Sequence, residues 1–370
     1  MKLKINLFQE RSTPTSVLLI YTGGTIGMKA DPADGTLKPF DFSGILEEVP
    51  ELRKFAMKID SYTFNPLIDS SDVEPTLWQA LARLIQERYD AYDGFVILHG
   101  TDTMAYSASA LSFMLENLGK PVVFTGSQLP IGRPRTDGKE NLISAVEIAT
   151  AKDSHKHPMV PEVCICFNAQ LLRGNRSVKV NATGFDAFKS PNYPPLATAG
   201  INIKYNNSFI HYGYDRRKGV SIHTDLDTRV SVLKLHPGIT EQAVRDILLG
   251  DGSRAVILET YGSGNAPCRP WFLSLVREAA SRGKDSLERD AVHERRRGHG
   301  YLRHGARPQG RRRDLRPRHH HRERTRQTLL PDGRTRRQRE SQDLAGAEPQ
   351  GRNLKIIIDK WNFFTKLHRF

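Results

Sequence analysis

GFVILHGTDTMAYSASALSFMLENLGKPVVFTGSQLP, residues Gly94 to Pro130, holds the pattern on which the fold turns. Its opening run and the later PVVFT (Pro121 to Thr125) are near-continuous apolar stretches rich in branched side chains. Such runs mark strands covered on both faces, hence a parallel sheet. Between them the spacing predicts a helix over 104–119. Working outward, similar strand-like runs recur as VLLIY (Val17 to Tyr21) and EVCICF (Glu162 to Phe167). EPTLWQALARLIQERYDAY (Glu74 to Tyr92) repeats Leu77, Leu81, Leu84 and Ile85 at helical spacing, with Pro75 suited to a first helical position. Alternating strands and helices imply an α/β fold with a doubly wound, mainly parallel sheet. Functional groups in such sheets gather at the carboxyl ends of the strands. TGGTIG, HGTDTM and TGSQLP each follow a strand directly, so all three are expected on one sheet edge.

Further along, KYNNSFIHYGYDRRKG (Lys204 to Gly219) is polar and unpatterned. After it come strand VSVLKL (Val230 to Leu235), helix TEQAVRDILLG (Thr240 to Gly250), strand RAVILETYG (Arg254 to Gly262) and helix PWFLSLVREAASRG (Pro270 to Gly283). The chain therefore divides into an N-terminal domain over 1–215, a smaller and truncated α/β domain over 216–284, and a tail over 285–370. That tail is set apart by composition. Residues 284–353 hold 19 Arg and one Lys against ten acidic residues, and contain no Ile, Phe, Met, Trp or Cys. A segment so poor in apolar groups cannot offset its ordering entropy, so disorder is expected. The chain carries a net charge of +14, yet its first 283 residues hold 31 basic and 30 acidic groups. The main body is near neutral and carries no nucleic-acid signature.

Three cysteines without a CxxC pair suit a reducing cytoplasm and no metal centre. The opening MKLKINLFQERSTPTS lacks the apolar core of an export signal, and no stretch nears the length of a membrane span. A cytoplasmic protein without membrane contact is the expectation.

Threonines crowd the strand ends: Thr22 and Thr25 in the first motif, Thr101 and Thr103 around Asp102 in the second, Thr125 and Ser127 in the third. Glycine turns let backbone N–H groups approach an anion or oxyanion, and the hydroxyls add donors or a nucleophile. Phosphate binding is the first rival, but neither GxxxxGK[ST] nor GxGxxG occurs. Taken singly, each motif reads as a tight turn with a capping threonine; three on one edge, with a carboxylate beside a hydroxyl, read as a site.

These motifs, with LLRGNRSVKV (Leu171 to Val180), GFDAFKSPN (Gly184 to Asn192) and YGSGNAP (Tyr261 to Pro267), resemble the L-asparaginases, specifically the cytosolic type I group. The resemblance runs from Val17 to about Gly283. It implies hydrolysis of the side-chain amide of L-asparagine to L-aspartate and ammonia, with no cofactor, in a homodimer or tetramer whose sites lie at subunit interfaces. Residue by residue, it implies that Thr25 is the nucleophile, that Thr101 and Asp102 are the second threonine and its acidic neighbour, and that Lys179 completes the relay. Asp69, Ser70 and Ser71 match positions that hold the substrate's α-amino and α-carboxylate groups. Asn265 matches a residue that reaches the neighbouring subunit's site. Many members carry a lid tyrosine where this chain has Thr36, so no lid residue is assigned. An ammonia-supplying subunit of a tRNA-dependent amidotransferase shares the same cores and is the enzyme alternative; a silent remnant without turnover is the other. Only about 16 residues precede Val17, against the long extension expected of the amidotransferase subunit.

At Lys284 the chain leaves the family pattern, which continues with a strand and a TQCxxG motif. KDSLERDAVHERRRGHG, back-translated from Asp285 and read one base later, can encode IVLNVTQCMSG, and the family-like reading continues well beyond. Only the middle base of each shifted codon is free, so a match of this length is not coincidence. The expectation is a displaced reading frame near codon 284, leaving the activity of the chain as written in doubt. A basic RNA-binding arm and a metal site at His319 to His321 are the weaker readings of the same tail.

Overall fold

The apolar runs form the centre of an eight-stranded sheet. The computed structural model describes residues 15–30, 37–39, 45–262 and 264–290. β1 (Thr15–Tyr21), β2 (Met57–Thr63), β3 (Gly94–Leu98), β4 (Val122–Thr125) and β5 (Val163–Phe167) run parallel. β6 (Gln170–Arg173), β7 (Ala197–Thr198) and β8 (Lys204–Tyr205) extend the sheet antiparallel. The order is β8-β7-β6-β5-β4-β3-β1-β2.

Alternate residues of the central strands enter two cores. Val17, Leu19, Val96, Leu98, Val123 and Cys164 face α3 (Gly138–Thr150), packing on Leu142, Ala145 and Val146. Leu18, Ile20, Phe95, Ile97, Phe124 and Ile165 share the opposite core with Leu81 and Ile85 of α1 (Pro75–Arg88) and with Met104, Ala108 and Leu111 of α2 (Met104–Met114). Burial on both faces is why these strands carry no polar alternation.

α2 stops five residues short of the span the periodicity predicts. Leu115 turns extended, Leu115–Glu116 pairs with Ser221–Ile222, and Asn117 takes φ 59°, so a β contact with a distant segment overrides helical propensity. β2 carries no strand signal in the sequence because it is an edge strand with polar residues along it.

A second, three-stranded parallel sheet holds β9 (Val230–Lys234), β10 (Ala255–Thr260) and β11 (Asp285–Asp290). Val244 and Leu248 of α4 (Glu241–Leu249) and Phe272 and Leu275 of α5 (Pro270–Ser281) cover Leu233, Val256 and Leu258. β11 corrects the expectation that no strand follows α5. Gly283, at φ 74°, closes that helix: its N–H bonds the Ala280 carbonyl and Lys284 N–H bonds that of Ala279. The chain is thereby turned back along β10, where backbone pairing holds six residues without an apolar pattern. The rest of the tail, including the candidate basic arm and His319 to His321, lies outside the described residues, as does Thr36.

Candidate active site

Three turns meet at Gly24, Gly100 and Ser70. Gly24, at φ 92°, lies so close to the second turn that a Cβ built on it would stand 2.5 Å from the Gly100 Cα. A Cβ on Gly100 would in turn meet the Ser70 Cβ and Oγ at 2.5 Å. A side chain on either glycine has no room, so TGGT and HGTD are held at peptide-plane separation and the Ser70 side chain of DSSD packs directly on Gly100.

The hydroxyls of these motifs divide by what they bond. Thr22 Oγ1 donates to the Leu98 carbonyl at 3.0 Å and Thr125 Oγ1 to that of Cys166 at 2.8 Å, both buried strand-to-strand braces. Ser127 Oγ donates to the Leu129 carbonyl at 2.6 Å, and Thr103 Oγ1 to that of Ser70 at 2.6 Å. Thr101 differs. Its Oγ1 accepts from Lys179 Nζ at 2.9 Å, and the same ammonium donates to Asp102 Oδ1 at 2.7 Å. Thr25 opens a single helical turn, Thr25–Gly27, directly after Gly24, and is half-buried.

Lys179 reaches Thr101 from a two-residue strand, Val178–Lys179, paired antiparallel with Phe188–Lys189. Phe188 is buried edge-on against Phe167 at 5.1 Å between ring centroids. That contact ties the lysine's strand to the end of β5. The lysine side chain is 18% exposed and the Asp102 side chain 62%, so the pair sits at the mouth of the site with its charge facing inward along the lysine.

Ser70 is buried between the turns: the Asp102 N–H reaches its Oγ at 3.4 Å, and that Oγ points at Asp102 Oδ2 at 3.5 Å. Asp69 is exposed at the cap of the turn Ser70–Asp72 and accepts from both Ser71 N and Ser71 Oγ at 2.9 Å. The Ser71 backbone N–H, then its hydroxyl, hold the Asp69 carboxyl below the usual carboxylate range. Asn265 stands elsewhere. It is exposed in the turn after β10, bridged to Tyr261, and no described contact links it with Thr25, Thr101, Asp102 or Lys179.

Two residues inside the strand-end motifs, His99 of HGTDTM and Gln128 of TGSQLP, are given no role by the sequence. His99, fully buried, bonds the Gly100 carbonyl through Nδ1 at 2.7 Å and Ser107 Oγ through Nε2 at 2.9 Å. Because a carbonyl only accepts, Nδ1 carries the hydrogen, Ser107 donates to Nε2, and the Trp78 indole N–H donates to Ser107 at 2.9 Å. Burial pushes this imidazole down to about 4, so it stays neutral. Gln128 is the other. Its side chain stands between Thr101 and the Gly184 carbonyl.

Residues 16–211 match the family model "Asparaginase, N-terminal". The chain is 45% identical over 275 residues to L-asparaginase 1 of Escherichia coli K12, covering 72% of this chain and 77% of that protein. It is 41% identical over 288 residues to the human 60 kDa lysophospholipase, covering 72% of this chain and 49% of that one. Among solved structures, L-asparaginase I of Vibrio cholerae superposes with a TM-score of 0.68 at 40% identity, over 76% of this chain and 82% of that one. A glutamyl-tRNA(Gln) amidotransferase component from Pyrococcus abyssi stands further off at 34% identity, over 68% of this chain and 57% of that one. The strand-end motifs, the α/β sheet and these likenesses agree, and the chain belongs to the asparaginase family, alongside its type I members.

Proposed function

We propose that this site hydrolyses the side-chain amide of L-asparagine to L-aspartate and ammonia. The observation that carries the reading is Lys179 Nζ lying 2.9 Å from Thr101 Oγ1 and 2.7 Å from Asp102 Oδ1, one glycine seam away from Thr25. In this reading Lys179 acts as the free amine: Thr25 Oγ attacks the amide carbon, its proton passes to Thr101 Oγ1 as the Thr101 hydroxyl hydrogen moves to Lys179 Nζ, and Asp102 orients the lysine. Backbone N–H groups of the glycine turns stabilise the oxyanion, each worth about 3 kcal/mol in comparable sites. Collapse of the tetrahedral adduct expels ammonia, which takes up a proton, and leaves the acyl group on Thr25 as an ester. Water, losing a proton to the same pair, cleaves that ester and restores the hydroxyl. Asp69 receives the substrate's α-ammonium group, and Ser70 and Ser71 supply the neighbouring polar contacts.

The seat of Asn265 supports an oligomer in which this residue completes a neighbour's site, since the described contacts leave it apart from its own. We infer further that the frame is displaced from Asp285. The polar DSLERD fills the slot beside β10 where the shifted reading supplies the apolar IVLNVT, the kind of sequence a parallel strand carries. Among the described residues no helix is long and apolar enough to cross a membrane. The direct test is ammonia and aspartate release from L-asparagine by the chain with its frame restored. No release by that protein, at any pH where it is folded, removes the reading.

A further inference from the structure

Thr101 has one hydrogen and two polar neighbours. Lys179 Nζ donates to its oxygen, so while the lysine is an ammonium the hydroxyl hydrogen needs an acceptor elsewhere. Gln128 Oε1, at 3.4 Å, is within reach. The orientation of that amide follows from the chemistry around it. Its other end lies 3.0 Å from the Gly184 carbonyl, which can only accept, so the nitrogen faces Gly184 and the oxygen faces Thr101. The Gln128 main chain is pinned as well: its N–H donates to both oxygens of Asp137 at 3.0 Å, and Leu129 N–H donates to Oδ1 at 3.1 Å. Asp137 in turn accepts from Asn141 of α3. One side chain thus ties the turn after β4, the hydroxyl after β3 and the loop that follows Lys179.

We propose that Gln128 is a positioning residue of the relay: clamped to Gly184, it offers Oε1 to the Thr101 hydroxyl while Lys179 is protonated, and so holds Thr101 Oγ1 in place for its hydrogen to pass to Lys179 once the lysine is the free amine. The inference rests on the reading of Thr101 as a relay group. The 3.4 Å separation is long for such a bond and is expected to shorten once substrate fills the site. A misdirected hydroxyl lowers the rate of proton transfer without altering the groups that hold the substrate, so the effect belongs to kcat.

Gln128→Met removes both polar atoms and keeps the length of the side chain. Wherever the parent chain turns over asparagine, we expect kcat to fall about 10- to 100-fold with KM within about threefold, the scale at which small misplacements act. A purely structural role would instead lower the yield of folded protein and leave kcat per folded molecule intact. A second measurement needs no turnover. In the full chain labelled with 15N-glutamine, the Gln128 side-chain amide is assigned by its loss in Gln128→Met. Its resonances are expected to shift in Thr101→Val. Unchanged amide resonances in Thr101→Val, or kcat within threefold of the parent in a folded Gln128→Met, overturn the proposal. A frame-restored chain without turnover counts against the hydrolase reading, and the resonance shift still decides Gln128.

Discussion

A single lysine with two partners distinguishes this site from three capped turns. Thr22, Thr103, Thr125 and Ser127 look like Thr25 and Thr101 in the sequence, yet the first four donate to backbone carbonyls as braces. Thr25→Ala, Thr101→Ala and Lys179→Met are each expected to lower kcat by at least about a thousandfold, and their combinations to add little, as for residues that act as one unit. Thr125→Val, by contrast, is expected to reduce thermal stability while kcat stays within about fivefold; ammonia release and thermal melts on the same preparations check both. Asp69 has a different signature. A carboxylate paired with the substrate's ammonium acts in ground and transition states alike, so Asp69→Ala is expected to raise KM at least as much as it lowers kcat. Its depressed ionisation means the charged form persists into acid, so KM is expected to stay level down through pH 5 as far as Asp69 governs it. An upturn in KM beginning near pH 6 and absent from Asp69→Ala contradicts that.

At the scale of strands and helices, the central elements were legible because two-sided burial leaves an unbroken apolar run, as in Val17 to Tyr21 and Gly94 to Leu98. α3 and β6 drew no separate expectation, and β2 hides because its outer edge wants polar residues. Gln128 hid for another reason: TGSQLP places it on the site edge, but its partners, Thr101 and Gly184, lie 27 and 56 positions away, so its contacts could not be read locally. The buried relay Trp78, Ser107, His99, Gly100 ties α1, α2 and the HGTD turn together. His99 is neutral when folded and its ionisation is lowered to about 4 by burial, whereas an unfolded chain takes up the proton near pH 6.5. Its contribution is therefore complete above pH 6.5 and is lost as pH falls toward 4, by roughly 3 kcal/mol. Melts of the parent are expected to decline across that window more steeply than those of His99→Gln; parallel curves exclude the relay as the cause. The β5–β6 hairpin offers a gain instead. Its two-residue turn places Asn168 at φ 46° and Ala169 at φ 60°, a conformation that costs an alanine about 1 kcal/mol. Ala169→Gly is expected to raise the melting temperature by about 2 °C, and a lowered one contradicts the turn assignment.

For the molecule as a whole, the decisive region is the small sheet carrying Asn265. β10 pairs with β9 on one side and with the polar β11 on the other, and α4 and α5 cover one set of its residues. On the opposite set Val232 is 54% exposed and, by register, neighbours the partly buried Ile257. An apolar patch of this kind on a parallel sheet calls for a further layer. The chain as written is expected to hydrolyse L-asparagine at least about a hundredfold more slowly than the frame-restored chain, and the latter is expected to elute as an oligomer on size exclusion; equal specific activities of the two overturn the displaced frame. In the larger sheet the glycine seam fixes one dimension of the site. Where Gly24 meets Gly100 there are only peptide planes, so no exchange of side chains can lengthen or shorten the step from one threonine to the other. A lineage built on this scaffold can alter its rim, at Asp69 to Ser71 or around Gln128, and so come to accept other molecules. On this geometry, substitutions at the rim are expected to change which molecule is accepted before they change the spacing of the two threonines.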